Sequence, residues 1–330
     1  MHVNLHLHRR LSGKVHVQVK VQDRSFRMKG AFYIVGPTAA GKSALAVDVA
    51  RNCQGEIVSA DAFQIYAGLD LLTAKPEPEL LRTVPHHLIG TTRLTEEMNA
   101  ERFRVAARGA IDGIEARGKR AFVVGGNGLY VKALTHGLSA GAAASAPLRE
   151  QLNQLSQREL LVRLERWDRE TAQTIDPQNK RRLTRALEIC LLTRGPARAQ
   201  RVAWADEPDG LHGVFVFRDR QELYERINLR VEMMFRQGVV DEVRHAGEVG
   251  STAGKTLGLQ QIRDLIDGRI SEAQCIVQIQ QATRRYSKRQ LTWFRRQSNF
   301  VPLNLSRHGS AEAIKLIARK ARLSFPPKDD

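Results

Sequence analysis

Three features of this 330-residue sequence predict an α/β fold: a parallel sheet flanked by helices, with an inserted helical lobe and a helical C-terminal region. From Ala31 onward, short apolar runs alternate with helix-compatible stretches, the pattern of right-handed strand–helix–strand crossovers. The first run, Ala31 to Val35, leads into Gly36, Pro37, Thr38, Ala39, Ala40, Gly41, Lys42 and Ser43, which satisfies G-x-x-x-x-G-K-S/T. Nearly everything from Arg220 to Arg296 is helix-compatible as well. The class is therefore P-loop NTPase-like, and its ligand carries a diphosphate or triphosphate.

The elements follow in order. Residues 1–29 hold seven Lys or Arg against Asp23 alone and show only a short alternation from Val15 to Val21. They read as an N-terminal extension: an edge hairpin, a disordered basic arm or a stretch upstream of a true start at Met28. The core occupies residues 30–137. Ser43 to Asn52 predicts a helix behind the glycine loop, and Glu56 to Ser59 a second strand ending at Asp61. Asn99 to Arg117 spaces Phe103, Ala106, Ala107, Ala110, Ile111 and Ile114 for one helix face. Arg120 to Val124 is a further buried strand, running into Gly125, Gly126, Asn127 and Gly128 and a helix from about Leu129. Ligands of open α/β sheets sit beyond the carboxyl ends of the strands, so the glycine loop, Asp61 and the Gly125 to Asn127 loop are expected on one rim. The small-residue segment Gly137 to Pro147 opens an inserted lobe over residues 138–178, and residues 179–330 return to the core, with a helix from Asn179 to Thr193 and a strand from Gly213 to Phe217.

The glycine loop fits a phosphate cradle. Gly36 and Gly41 let successive backbone N–H groups turn inward, Lys42 reaches phosphate oxygens and Ser43 suits Mg²⁺. The motif arises by accident in a chain this long on the order of once in a hundred. Asp61, emerging beside the loop, is placed to accept a proton or to hold Mg²⁺ through water, and its plainer reading is a turn cap. Formal charge is +17, which a small-molecule enzyme does not need and which implies a polyanionic partner. The segment from Thr283 to Arg296 holds Arg284, Arg285, Lys288, Arg289, Arg295 and Arg296 with no acid, interleaved with Tyr286, Trp293 and Phe294. Cations there meet phosphates and aromatics stack on exposed bases, an RNA footprint on one helix face with core residues on the other. Cys53, Cys190 and Cys275 form no CxxC pair, so neither a zinc site nor a disulfide framework is expected. No apolar run approaches the roughly 18 residues of a membrane span. A soluble, cytoplasmic protein is expected.

Eight motifs in one order carry a resemblance: GPTAAGKS at Gly36 to Ser43, SADAFQIYAGLD at Ser59 to Asp70, TAKP at Thr73 to Pro76, PHHL at Pro85 to Leu88, VVGGNGLYVKAL at Val123 to Leu134, RRLTRALEI at Arg181 to Ile189, RINLRVEMMFRQGVVDEV at Arg226 to Val243, and TRRYSKRQLTWFRR at Thr283 to Arg296. Over about residues 31–303 the chain resembles the tRNA dimethylallyltransferase family. That resemblance implies transfer of a dimethylallyl group from dimethylallyl diphosphate to N6 of the adenosine immediately 3′ of the anticodon. It implies that the loop grips the diphosphate with Mg²⁺, that Asp61 is the general base, and that Arg230 reaches the diphosphate, with Arg226 a second candidate. It implies contact with the tRNA anticodon stem-loop by Asp61, Ala62, Phe63, Gln64, Asn127, Arg149, Arg181, Arg182, Leu183, Thr184, Arg185, Arg284, Arg285 and Arg289, and makes the inserted lobe a tRNA-contacting element.

Two positions depart from the family pattern. Asn127 stands where the family usually has Thr, and Leu259 and Gln260 replace the usual Tyr and Arg or Lys after Gly258. The lack of a Cys/His zinc-finger spacing after the last helix favours a bacterial-type enzyme, and a monomer is expected. A P-loop small-molecule kinase would need the same loop, Mg²⁺ and carboxylate, but has no use for the excess charge. An RNA-binding protein that has lost catalysis is the third reading, and intact Lys42, Ser43 and Asp61 count against it.

Overall fold

The computed structural model describes residues 30–138, 145–200, 211–297 and 300–325. Expectations for the N-terminal extension, and for most of the segment opening the lobe, lie outside them. Six strands, β1 (Ala31–Val35), β2 (Gly55–Ser59), β3 (His86–His87), β4 (Arg120–Gly125), β5 (His212–Phe217) and β6 (Val301–Asn304), form one sheet in the order β3-β2-β4-β1-β5-β6. Every pairing in it is parallel.

Strand β1 shows why the central runs are apolar throughout: alternate side chains enter different cores. Phe32 and Ile34 face α1 (Lys42–Asn52), in a cluster that also takes in Val84, just after α2 (Pro78–Thr83). Tyr33 and Val35 face α3 (Ala100–Ala116) and α4 (Gly128–His136) on the other side. In α3 the expected stripe buries Phe103, Ala107, Ile111 and Ile114, and the Asn99 side chain caps the helix by accepting from the Glu101 and Arg102 N–H groups.

The lobe comprises α5 (Ala146–Asn153), α6 (Gln157–Trp167), α7 (Arg169–Thr174) and α8 (Lys180–Thr193). Its boundary differs from the division at residue 178. Leu183, Ala186, Leu187 and Cys190 of α8 join Leu152, Leu160 and Leu164 in a separate apolar cluster, so α8 belongs to the lobe by packing. An amphipathic helix goes where its apolar stripe finds a partner, and the stripe alone does not name that partner.

After β5 come α9 (Arg220–Arg236), α10 (Val239–His245), α11 (Leu259–Ile266) and α12 (Glu272–Gln297). They share a core that includes Val231, Met234, Val239, Val243, Ile262 and Ile279, and it closes over Leu69 and Leu72 from the segment after Asp61. Strand β6 and α13 (Ser310–Ser324) were not anticipated. Pro302 interrupts the alternation of β6, and proline is tolerated there because the strand lies at the sheet edge. Helix α13 covers the α1 side of the sheet with Ala313, Ile317 and Ala321. No helix among the described residues is long and apolar enough to cross a membrane.

Candidate active site

The carboxyl ends of β1, β2 and β4 meet on one rim, as expected of adjacent parallel strands. Gly36 N–H donates to the Gly125 carbonyl at 3.2 Å and Asn127 N–H to that of Ala60 at 3.3 Å, which ties the three loops edge to edge. The approach is too close for side chains. A Cβ at Gly36 would stand 2.0 Å from the Val216 carbonyl oxygen, and one at Gly125 would stand 2.3 Å from that of Ala60.

Gly41, with φ of 93°, turns the loop into α1 in the left-handed region that glycine enters freely. The first turn of α1 has no side-chain cap and no acid, so its N–H groups and positive end face the rim. Cations surround this loop. Lys42 Nζ curls back to the Pro37 carbonyl at 2.7 Å. Arg218 Nε donates to the Ala40 carbonyl at 3.0 Å, Arg226 Nε to that of Ala39 at 2.9 Å, and Arg230 Nη2 to the Thr38 hydroxyl at 2.7 Å. The Arg230 Nε is buried without a hydrogen-bond partner among the described residues. Burial pulls the Lys42 ammonium down to about 8; Asp61 opposes the shift and Arg230 adds to it. Burial likewise lowers Arg230, with Asp61 opposing and Arg226 adding. The loop is therefore short of negative charge, the condition in which it takes an anion.

Asp61 serves as the turn cap that its position allowed. Its Oδ1 accepts from the Phe63 N–H at 2.9 Å and the Gln64 N–H at 3.3 Å, holding the turn. Oδ2 carries no hydrogen bond among the described residues. Two tyrosines flank the carboxylate. Burial chiefly raises both Tyr130 and Tyr286, and the Asp61 charge raises each further. The Phe63 and Tyr286 rings lie 6.4 Å apart at 50°, so the carboxylate stands in a slot walled by aromatics and floored by cations. Gln64 spends its amide on the Ala74 carbonyl at 2.8 Å and the Thr73 carbonyl at 3.3 Å, and Ala62 packs on the α3 side of the core. Asn127 caps α4, its Oδ1 accepting from the Tyr130 N–H at 3.2 Å.

Helix α12 divides as its sequence predicts. Thr283, Ser287, Gln290 and Phe294 are buried, whereas Arg285, Lys288 and Arg289 are exposed. Arg289 lies over the Tyr286 ring with 5.6 Å to its centroid. Arg284 is held back by α9, donating through Nε to Asn228 Oδ1 at 3.1 Å and lying over the Tyr224 ring at 5.5 Å.

In the lobe, Arg181 and Arg182 are exposed at the start of α8, and the Arg181 charge reaches Tyr130 beside Asp61. The other candidates there sit differently. Leu183 and Thr184 are buried, Leu183 within the apolar cluster of the lobe. Arg149 and Arg185 converge on fully buried Glu188, at 3.0 and 2.6 Å. A carboxylate removed from water needs such partners. Of the two departing positions, Leu259 is a core residue of the C-terminal helices and Gln260 donates to Asp264 at 3.0 Å on the surface. Two residues escaped the sequence reading. Arg218 follows β5 with no motif to mark it, and Gln290 lies among the cations of α12 but faces inward, donating through Nε2 to the Gly126 carbonyl and accepting through Oε1 from Thr38 N–H, both at 2.8 Å. Its place on the buried 283, 287, 290, 294 stripe is the only signal the sequence offered.

The family model described as IPP transferase matches residues 64–297. A tRNA dimethylallyltransferase of Citrifermentans bemidjiense is 41% identical over 285 residues, covering 84% of this chain and 93% of that protein. The tRNA isopentenylpyrophosphate transferase structure from Bacillus halodurans superposes with a TM-score of 0.66 at 32% identity, over 90% of this chain and 98% of that one. A eukaryotic dimethylallyltransferase acting on tRNA superposes at 0.75 with 23% identity, over 92% and 81% of the two chains, and shows the shared fold. With its phosphate loop, carboxylate and basic helix on one rim, and with relatives matched over most of its length, the chain belongs to the IPP transferase family.

Proposed function

We propose that this protein transfers a dimethylallyl group from dimethylallyl diphosphate to N6 of the adenosine immediately 3′ of the anticodon in tRNA, acting as a cytoplasmic monomer. The observation that carries this reading is the placement of one carboxylate, Asp61, between a cationic phosphate cradle and an aromatic slot. The adenine N6 attacks the allylic carbon, the carbon–oxygen bond breaks, and the diphosphate leaves with the bonding electrons. Asp61 takes the proton that N6 loses. Charge that builds on the leaving group meets loop N–H groups, Lys42 and the partnerless Nε of Arg230, all in place before reaction.

The donor set fits a metal shared with the diphosphate. No group of three His, Cys, Asp or Glu among the described residues gathers to cage an ion. Mg²⁺ typically takes few protein ligands and fills its shell with water and substrate phosphate oxygens. Ser43 would hold it, with Asp61 through water, and it would neutralise charge on the leaving group.

Incubating the protein with labelled dimethylallyl diphosphate, Mg²⁺ and an anticodon stem-loop carrying the target adenosine tests the reading. Label in the RNA, lost when that adenosine is replaced, is expected. ATP-dependent phosphorylation of a small metabolite without transfer would replace it with the kinase reading.

A further inference from the structure

Gln290 is 6% exposed and stands 252 residues after Thr38 and 164 after Gly126. With one amide it closes the gap between the phosphate loop and the second glycine loop. A Cβ at Gly126 would lie 2.3 Å from Gln290 Nε2, so the glycine is what admits the amide to that carbonyl. The peptide unit that Gln290 grips is held at its other end too. Lys42 Nζ donates to the Pro37 carbonyl, and Thr38 N–H, on the same peptide, donates to Gln290. The Thr38 hydroxyl meanwhile receives Arg230. The Pro37–Thr38 peptide thus holds Lys42 directly and Arg230 through the Thr38 side chain, and Gln290 grips that peptide from outside the loop.

The helix bearing Gln290 turns Arg285, Lys288 and Arg289 to solvent, within one or two turns of it. Phe294, one turn beyond, is locked against Phe215 of β5 at 5.7 Å between ring centroids, and Trp293 lies against Gly128. The helix is therefore anchored just beyond the amide, to β5 through Phe294 and to the start of α4 through Trp293.

We propose that Gln290 is a positioning residue, through which α12, the helix with the RNA-directed cations, sets the diphosphate cradle. It touches neither reactant. It acts through the Pro37–Thr38 peptide and the Gly126 carbonyl, which keeps Lys42 and Arg230 in the geometry that a diphosphate requires. A loop left without this tie must be ordered when the ligand arrives, and that ordering opposes binding. The inference rests on the proposed function only in taking diphosphate as the ligand of the loop.

Gln290→Met keeps the volume and removes both hydrogen bonds, and Gln290→Asn keeps the amide but withdraws it by one methylene. With inorganic diphosphate and Mg²⁺ as the probe, calorimetry on the full-length protein is expected to show roughly tenfold weaker binding in both variants. Stem-loop affinity should stay within twofold. In the transfer assay KM for the prenyl diphosphate should rise while KM for the RNA holds. A variant that merely lowers the folded fraction would instead reduce kcat with both KM values intact, and that pattern, or unchanged diphosphate affinity in a folded variant, overturns the proposal. If Gln290→Met does not fold, Gln290→Asn supplies the same comparison, and thermal melting identifies which is folded. A wild-type protein that binds no diphosphate would defeat the functional reading itself, a result distinct from equal binding by wild type and variants.

Discussion

Arg230 of α9 donates to the Thr38 hydroxyl of the phosphate loop at 2.7 Å while its Nε remains buried with no partner. The guanidinium is committed to the loop at Nη2 and left without a hydrogen bond at Nε. A lysine keeps the charge but has no planar fork to serve both. Arg230→Lys is expected to lower kcat/KM for the prenyl diphosphate by roughly 10- to 100-fold, the worth of a charge-assisted hydrogen bond. Steady-state kinetics at saturating RNA measure it, and a loss below twofold would remove Arg230 from the cradle.

Asp61 holds the turn through Oδ1, and the proposed reaction uses the carboxylate as its base. Asp61→Asn preserves an acceptor for the turn and removes the base. Turnover should fall by roughly 10² to 10⁴, with stem-loop binding and thermal midpoint nearly unchanged. Single-turnover rates at saturating ligand separate this outcome from a binding defect, and a near-normal rate would exclude Asp61 as the base.

Lys42 titrates at about 8 because burial disfavours its charged form. Diphosphate prefers the ammonium, so binding raises that value and takes up a proton above it. Affinity attributable to this group should be level below about pH 8 and fall as pH rises through that value in the free protein. Calorimetry in buffers of differing ionisation heat detects the proton. In Lys42→Ala the affinity should be weaker and this share of its pH dependence absent; an unchanged profile in the variant would assign the titration elsewhere.

Arg181, Arg182, Arg285 and Arg289 are exposed, and those that meet phosphates make log affinity for tRNA fall linearly with log salt. Each substitution with alanine is expected to reduce the salt slope by about 1. Filter binding across a salt series reads the slope directly. A slope unaltered in all four would mean that the charge only solvates the surface.

Arg185 is expected to behave differently, because it and Arg149 compensate the buried Glu188 carboxylate. Arg185→Met should lower lobe stability by about 1 to 3 kcal/mol, the usual cost of leaving a buried group short of a partner, with little change in salt slope. Denaturant melts followed alongside RNA binding test it; a shallower slope at unchanged stability would return Arg185 to the RNA interface.

The local rules were legible in the sequence because they act over a few residues. The glycine loop, the strand from Ala31 to Val35, the helix that begins at Asn99 and the two-faced helix from Thr283 all follow from spacing and side-chain chemistry. Asp61 was placed on the rim by the parallel-sheet rule before any distance was known. Helix α8 was harder: its apolar stripe was visible, but whether the sheet or the lobe would cover it depended on Leu152, Leu160 and Leu164, which arrive from elsewhere in the chain.

By itself, then, the sequence determined a phosphate-binding α/β core, a carboxylate beside it and a basic aromatic helix. Only the tertiary structure decided which cations are free and which are spent. Arg149 and Arg185 turn to Glu188, Arg284 to Asn228 and Arg218 in part to Glu222, whereas Arg226 and Arg230 line up along the loop from 187 and 192 residues away. It also turned Gln290 inward to join two glycine loops. The reason is physical: the partner of a long polar side chain is set by where the backbone brings a complementary group within about 3 Å, and no spacing along the chain encodes a distance across it.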